Sequence, residues 1–190
     1  MGAASWKHLC TSYHIKSDQL CEAIAKLAIR VSTTYVDPGG HSLVCRLIAI
    51  HKCPGVKLIG VGKVLRRIMS KTIISLVRED IQAAVGPLQL CVRHEAGCEA
   101  AVHALRMVFE DQESEAVLLV NAGNAFNSLN RGIALRNVIS MCPSLATITI
   151  NAYWQCVQLF TQNQKLLCQE GSTQGNSLAM AIYAIIAYSH

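Results

Sequence analysis

An uninterrupted apolar run that ends at a polar loop constrains the fold of this chain more than any other feature. The run covers residues 116–120 (AVLLV), and the polar residues NAGN follow at 121–124. Five consecutive apolar residues are typical of a β-strand that is covered on both faces. The sequence therefore predicts a buried strand, a loop, and then a helix from about 124 to 141 that Pro143 stops. Asn121 stands at the end of that strand, where an active site often carries an acidic residue.

Three further segments repeat apolar residues at the helical period, and a hydrophobic face of this kind predicts an amphipathic helix. Ser17 is predicted to cap the first of these helices, and the third helix is predicted over 96–109. The apolar face of the first helix consists of Leu20, Ile24, Leu27, Ala28 and Val31. In the second helix, over 64–81, the residues predicted to face inward are Leu65, Ile68, Met69, Thr72 and Leu76, and those predicted to face solvent are Arg66, Arg67, Lys71 and Arg78.

Two hairpins and an apolar tail complete the predicted elements. The first hairpin covers 43–62 around a Pro-Gly turn, and the second covers 157–169 with a turn near Gln162 and Asn163. A Gly-rich loop then opens a helix whose apolar residues continue almost to the end of the sequence. Because nothing follows that could cover this helix, we expect an exposed apolar face over 178–188 and interpret the chain as truncated.

The predicted helices and strands together indicate an α+β fold. The length of 190 residues, of which 52% are hydrophobic, fits a single unit with its own core. The net charge of +5 is compatible with a polyanionic partner but also with an ordinary soluble protein. The nine cysteines form no CxxC pair, and no secretory signal precedes them, so we expect reduced thiols in an intracellular setting. We expect no transmembrane segment, since neither charge-poor stretch has the roughly 20 consecutive apolar residues that a span needs.

Three groups of residues resemble known kinds of site but lack part of the pattern that each kind requires. Cys91, His94, Cys98 and His103 could supply four zinc ligands, but the last two are five positions apart on a predicted helix, so no metal site is predicted. Ser172 lacks the strand and the following partners that a nucleophile elbow requires. The GVGK sequence at 60–63 lacks the remainder of a phosphate-binding loop.

Two segments together resemble a known family. VNAGNAFNSLNR and QEGSTQGNSLAM are similar to the first two palm motifs of reverse transcriptases, RNA-directed DNA polymerases, from retrotransposons that lack long terminal repeats. The segment CRLIAIHKCPGVKLIGVGKVLRRIMSKTI resembles the fingers of the same enzymes. The resemblance covers most of 43–190. It implies a partial right-hand polymerase fold, incomplete at the C-terminus, with an N-terminal helical segment over 1–42, fingers over 43–110 and palm over 111–190, the palm motifs lying at 117–131 and 169–180.

The same resemblance implies a chemistry based on two divalent cations, Mg²⁺ in the family, held by aspartates. Asn121 stands at the position of the first metal-binding Asp, and the hairpin with the remaining aspartates would follow the second motif. We therefore predict no intact catalytic residue and no bound cofactor. Asn176 and Ser177 replace the family's Asp and Pro, which suggests a degenerate copy. The family positions that would contact a nucleotide are Lys57, Asn124, Ala125, Phe126, Gln174 and Gly175.

The expected function is therefore that of an inactive reverse-transcriptase-like fragment that binds RNA, DNA or an RNA·DNA hybrid. The cations predicted to contact the nucleic acid are Arg46, Lys52, Lys57, Lys63, Arg66, Arg67 and Lys71. Two alternatives stay open at this point. The fold could serve as a protein-interaction or structural fragment through the exposed tail helix, or the chain could be an active polymerase once a downstream segment is supplied.

Overall fold

The computed structural model describes residues 2–36, 44–90, 96–111, 114–161 and 164–188, and it combines helices with one small mixed sheet. The predicted α+β class is confirmed at this level. The elements in chain order are α1 (Ala3–Thr11), α2 (Ile15–Thr33), β1 (Val44–His51), β2 (Val56–Gly62), α3 (Val64–Leu76), α4 (Arg78–Val85), α5 (Gly97–Glu110), α6 (Arg131–Met141), α7 (Pro143–Tyr153), β3 (Val157–Phe160), β4 (Lys165–Cys168) and α8 (Ser177–Tyr188).

The N-terminal helices form a pair, in which α2 has the predicted apolar face. All five residues of that face are buried or half-buried. The predicted cap at Ser17 is wrong, because α2 begins at Ile15 and Ser17 lies inside its first turn. The Ser17 hydroxyl instead donates to the Leu9 carbonyl (2.7 Å) and accepts from the Tyr13 amide (2.9 Å), so it ties α2 to the end of α1.

The sheet confirms both predicted hairpins and joins them. Strands β1 and β2 pair antiparallel, β3 and β4 pair antiparallel, and β1 pairs parallel with β3, giving the order β2-β1-β3-β4. The turn predicted near Gln162 and Asn163 lies outside the described residues. One face of the sheet carries buried Cys45 and Val157 toward the core, and the opposite face is turned to solvent.

The predicted helix over 64–81 is two helices, because the helical backbone is interrupted at Val77, which has a φ of −104° and a ψ of 24°. The predicted inward face of α3 is also partly wrong: Thr72 and Leu76 are exposed, whereas Ser70 and Ile73 are buried. The reason is that α3 packs against α8 and α2, and the sequence pattern of α3 alone does not indicate where these neighbours lie.

The tail helix α8 is the centre of the core, and the expectation of an exposed apolar face over 178–188 is wrong. Leu178, Ile182 and Ile185 are fully buried, and α8 packs against α3, α4 and α6. A helix that is apolar on all sides is typical of the interior of a domain. Earlier helices of the chain thus cover the surface that the sequence analysis assigned to an interface.

The apolar run at 116–120 is not the predicted buried strand. Among the described residues it pairs with no strand of the sheet, and Leu118, Leu119 and Val120 are 86%, 76% and 85% exposed. The sheet consists of β1 to β4, and none of these strands forms backbone hydrogen-bond pairs with this segment. The segment is apolar, as the prediction assumed, but a strand is buried on both faces only when other elements cover it. The described residues provide no such cover here.

The helix after this run also begins later than predicted. Residues 123–128 form turns, and α6 starts at Arg131, where the Asn130 side chain accepts a hydrogen bond from the Ile133 amide (2.9 Å). Asparagine is among the preferred N-cap residues, and this cap fixes the start of the helix. As predicted, the helix ends before Pro143: α6 stops at Met141. Pro143 is also the first residue of α7, a helix that the sequence did not predict.

Candidate functional site

The two segments that resemble palm motifs meet in the structure through their backbones. We call residues 121–130 the Asn-rich loop and residues 169–176 the Gly-rich loop. The Gly171 amide donates to the Leu129 carbonyl (2.8 Å), and the Ser172 amide donates to the Phe126 carbonyl (2.6 Å). The Ser172 hydroxyl also donates to the Phe126 carbonyl (3.3 Å). Segments about forty residues apart in sequence thus form one junction, where we locate the candidate site.

Close backbone approach at this junction requires a glycine. Gly171 has a φ of +77°, and a Cβ built on it would lie 2.7 Å from the Asn127 Cα. Only glycine adopts such a φ without a steric cost and also leaves this space free. Ser172 and Thr173 are buried beside it, so the hydroxyl of Ser172 is a structural group rather than an exposed nucleophile.

Arg131, the first residue of α6, joins the Gly-rich loop to the rest of the chain. The residue is only 6% exposed. Its Nε donates to the Gly171 carbonyl (2.7 Å), while Nη1 donates to the carbonyls of Cys168 (2.9 Å) and Gln155 (3.2 Å). Its Nη2 donates to the Glu170 carbonyl (3.2 Å), and its backbone amide donates to the Glu170 carboxylate (2.9 Å). One guanidinium therefore satisfies the carbonyls of four residues.

The ring of Tyr153 is close to two guanidinium groups. Those of Arg131 and Arg66 are 5.6 Å and 5.5 Å from the centre of its ring, within the range of cation–π attraction. The Tyr153 hydroxyl accepts hydrogen bonds from the Thr173 amide (3.3 Å) and from the Asn176 side chain (3.2 Å). The ring thereby connects α3, α6 and the Gly-rich loop.

Asn176, at the position of the family's Asp, has a defined structural role. Its Oδ1 accepts from the Leu178 amide (3.3 Å) at the start of α8, while its Nδ2 donates to Tyr153. An amide can serve both roles because it carries an acceptor and donors together. The Asn176 side chain therefore caps the start of α8.

Strand β2 also reaches the Gly-rich loop. A Cβ built on Gly60 would lie 2.8 Å from the Thr173 Cγ2, so the strand has no side chain where the loop crosses it. Lys57, three residues away, projects from the opposite face of β2 and is exposed. The structure therefore does not bring Lys57 to the junction, although the resemblance groups it with the other positions that would contact a nucleotide.

The other predicted nucleotide-contacting residues are spread along the two loops. Asn124 is exposed, with a φ of +54°, and its Oδ1 accepts from the Asn127 side chain (2.7 Å). Ala125, Phe126 and Gln174 are half-buried, and Gly175 is exposed. The Phe126 ring packs against the Tyr183 ring of α8, with 5.1 Å between the ring centres.

The residues of the junction do not fit the metal ions that the resemblance implies. Asn121 offers a neutral amide oxygen, whereas Mg²⁺ sites use carboxylates. The carboxylate of Glu170 is engaged by the Arg131 amide. Within the described ranges, no three His, Cys, Asp or Glu side chains are grouped so that they could hold a metal ion. Of the four zinc candidates, Cys91 and His94 lie outside the described residues, and Cys98 and His103 are exposed on α5.

The seven cations predicted to contact nucleic acid fall into three environments. Lys63, at the N-cap of α3, and Arg67 and Lys71 within that helix are exposed at intervals of four residues. Arg46 and Lys57 lie on the solvent face of the sheet, and Lys52 lies in the turn between β1 and β2. The prediction that Arg66 faces solvent is wrong, because both terminal nitrogens of its guanidinium are buried, without a hydrogen-bond partner in the described structure.

Sequence reasoning missed Arg131 and Tyr153, which make most of the contacts at the junction. One signal was available for Arg131, because a cation in the first turn of a helix opposes the helix dipole. An arginine at this position is expected only where its tertiary hydrogen bonds outweigh the unfavourable interaction with the helix dipole. No comparable signal marked Tyr153, whose partners come from α3, α6 and the Gly-rich loop.

Comparisons with known proteins add no family to this geometry. A scan against protein-family models and a search of curated proteins both gave no match. In the part of the chain that the structure describes, no helix is long and apolar enough to cross a membrane.

Proposed function

We propose that the chain is a non-catalytic, reverse-transcriptase-like domain that binds the sugar-phosphate backbone of RNA, DNA or an RNA·DNA hybrid. The observation that carries this proposal is the junction itself. Two segments that resemble palm motifs of one enzyme family contact each other through Gly171 and Ser172. A chance similarity of two short motifs would not require them to be in contact.

The absence of catalysis follows from the donor atoms. Two-metal chemistry requires carboxylates that hold both ions while the substrate reacts. Asn121 has no charge at the family's metal position, and the Glu170 carboxylate already accepts a backbone hydrogen bond. The junction is consequently proposed as a structural feature kept from a polymerase ancestor.

Backbone binding is assigned to the α3 stripe, which consists of Lys63, Arg67 and Lys71. These side chains are exposed, and the sequence of α3 contains no acidic residue that would neutralise them. The stripe begins at the N-terminus of α3, where the helix dipole also favours an anion. Four residues rise about 6 Å along a helix, so the three cations form a row that can contact the phosphates of one strand.

The variant K63Q/R67Q/K71Q tests this assignment. We expect its affinity for a single-stranded RNA to fall by about 10- to 100-fold, because each cation releases counterions when it contacts a phosphate. Fluorescence anisotropy with a labelled oligonucleotide measures the change. The matched control is K7Q/K16Q/R30Q, which removes three exposed cations from α1 and α2. Equal losses in the two variants would contradict a binding surface on α3.

A second variant tests the proposed absence of catalysis. Asn121→Asp supplies one carboxylate at the family position, but a single carboxylate does not hold two metal ions. We expect no Mg²⁺-dependent primer extension from this chain, measured beside an active polymerase as a positive control. Extension by Asn121→Asp would show that the remaining metal ligands exist, and it would favour the alternative of an active polymerase.

A further inference from the structure

The solvent face of the sheet carries an aromatic ring between two cations. Register places Phe160 of β3 beside Arg46 of β1 on one side and beside Lys165 of β4 on the other. All three residues are exposed, Phe160 to 37%. Neighbouring strands lie about 5 Å apart, so a ligand on the ring is within reach of both cations. We call these three residues the Phe160 row.

The remainder of this face is apolar or basic. Ile48 and Ile50 of β1 are exposed on it, and Lys57 of β2, the partner of Ile50, is exposed as well. None of the residues in the four strands is acidic. Arg46, Lys57 and Lys165 make no ion pair with any described residue. The face therefore carries uncompensated positive charge beside apolar side chains, and it complements an anionic ligand that also has apolar surfaces.

Single-stranded nucleic acid has both of these properties. Its phosphates are anionic, and its unpaired bases present flat faces that stack on aromatic side chains. Proteins that bind single strands combine a basic surface for the backbone with aromatic rings for the bases. The Phe160 row has this combination within three neighbouring strands.

We propose that the Phe160 row binds an unpaired base of a single strand. The ring of Phe160 stacks on the base, while Arg46 and Lys165 contact phosphates on either side of it. This inference rests on the proposed function, to which it adds contact with the bases. It uses none of the three cations of the α3 stripe, which contact the backbone alone, so the two surfaces can be tested separately.

Variants of Phe160 test the stacking on two labelled strands of equal length, oligouridylate and an abasic strand that has the same phosphates but no bases. Phe160→Leu keeps an apolar side chain without an aromatic face, so its affinity for oligouridylate should fall by about fivefold or more. Its affinity for the abasic strand should not change, because that strand offers no base to the ring. Phe160→Trp should bind oligouridylate at least as tightly as the unmodified chain. Fluorescence anisotropy measures each affinity.

Phe109→Leu is the matched control, because it replaces an exposed phenylalanine of α5. It should leave the affinity for both strands unchanged. Circular dichroism checks that each variant folds. Equal losses on the two strands in Phe160→Leu, or no loss on oligouridylate, would overturn the proposal. Binding to phosphatidylserine vesicles in preference to oligouridylate would also overturn it, since the face would then be a membrane surface.

The two proposals fail in different ways. Failure of the α3 stripe appears as an unchanged affinity of K63Q/R67Q/K71Q for both strands, because that stripe is assigned to the backbone that both strands share. Failure of the Phe160 row appears only in the comparison of oligouridylate with the abasic strand. Each result can therefore be assigned to one surface.

Discussion

Replacing Arg131 with Met is expected to lower the free energy of unfolding by about 3–5 kcal/mol. Met fills a similar volume but donates no hydrogen bonds, so the carbonyls of Gly171 and Cys168 lose their charged donor. Part of this cost is desolvation, because removing a buried donor leaves acceptors that water reaches only poorly. Urea denaturation followed by circular dichroism measures the difference.

Arg136→Met is the matched control for this prediction. Arg136 lies on the same helix, is exposed, and makes one long hydrogen bond to the Gly132 carbonyl (3.4 Å). We expect a change within about 0.5 kcal/mol, as for most surface substitutions. If Arg131→Met is no more destabilising than Arg136→Met, the guanidinium does not connect the Gly-rich loop to α6.

The second large effect is expected from Gly171→Ala. Alanine pays about 1–2 kcal/mol to adopt a φ of +77°, and its methyl group would also overlap the backbone of Asn127. Backbone cannot move aside as readily as the end of a flexible side chain, so we expect a total loss of about 3–5 kcal/mol in the free energy of unfolding. The same urea titration serves as the measurement.

Gly175→Ala separates the two causes. Gly175 has a φ of +93°, but the nearest atom to a Cβ built there is the Gly60 carbonyl oxygen at 3.7 Å, which is an ordinary contact. This variant should lose only about 1–2 kcal/mol in the free energy of unfolding, because the positive φ is the sole cause of its cost. Equal losses for Gly171→Ala and Gly175→Ala would mean that the two loops do not approach as closely as the junction requires.

Local elements were predictable where their residues carry the signal. The Pro-Gly turn and its flanking β-prone runs predicted the β1–β2 hairpin, and the spacing of Leu20 to Val31 predicted the buried face of α2. The glycines of the Gly-rich loop indicated a special backbone conformation, which Gly171 and Gly175 adopt. Each of these features is determined by residues that are close together in the sequence, so it can be predicted without knowing the tertiary fold.

Burial was predictable only in part, because it depends on partners that are distant in sequence. The apolar runs at 116–120 and in α8 have similar compositions, yet the first is exposed and the second forms the centre of the core. Hydrophobic periodicity reports which residues favour burial, but it does not show which surfaces are available to cover them. The burial of the Arg66 guanidinium has the same origin, since the ring that it contacts belongs to Tyr153, which is distant in sequence.

The salt dependence of RNA binding tests the central claim most directly, that a non-catalytic polymerase-like domain binds nucleic-acid backbone through α3. The measurement is the slope of log affinity against log salt for the unmodified chain, K63Q/R67Q/K71Q and K7Q/K16Q/R30Q. Each phosphate contact on a single strand contributes about −0.7 to the slope, so losing three contacts should make the slope about two units shallower. The control variant should keep the original slope. A slope near zero for the unmodified chain, or one that K63Q/R67Q/K71Q leaves unchanged, would contradict this account.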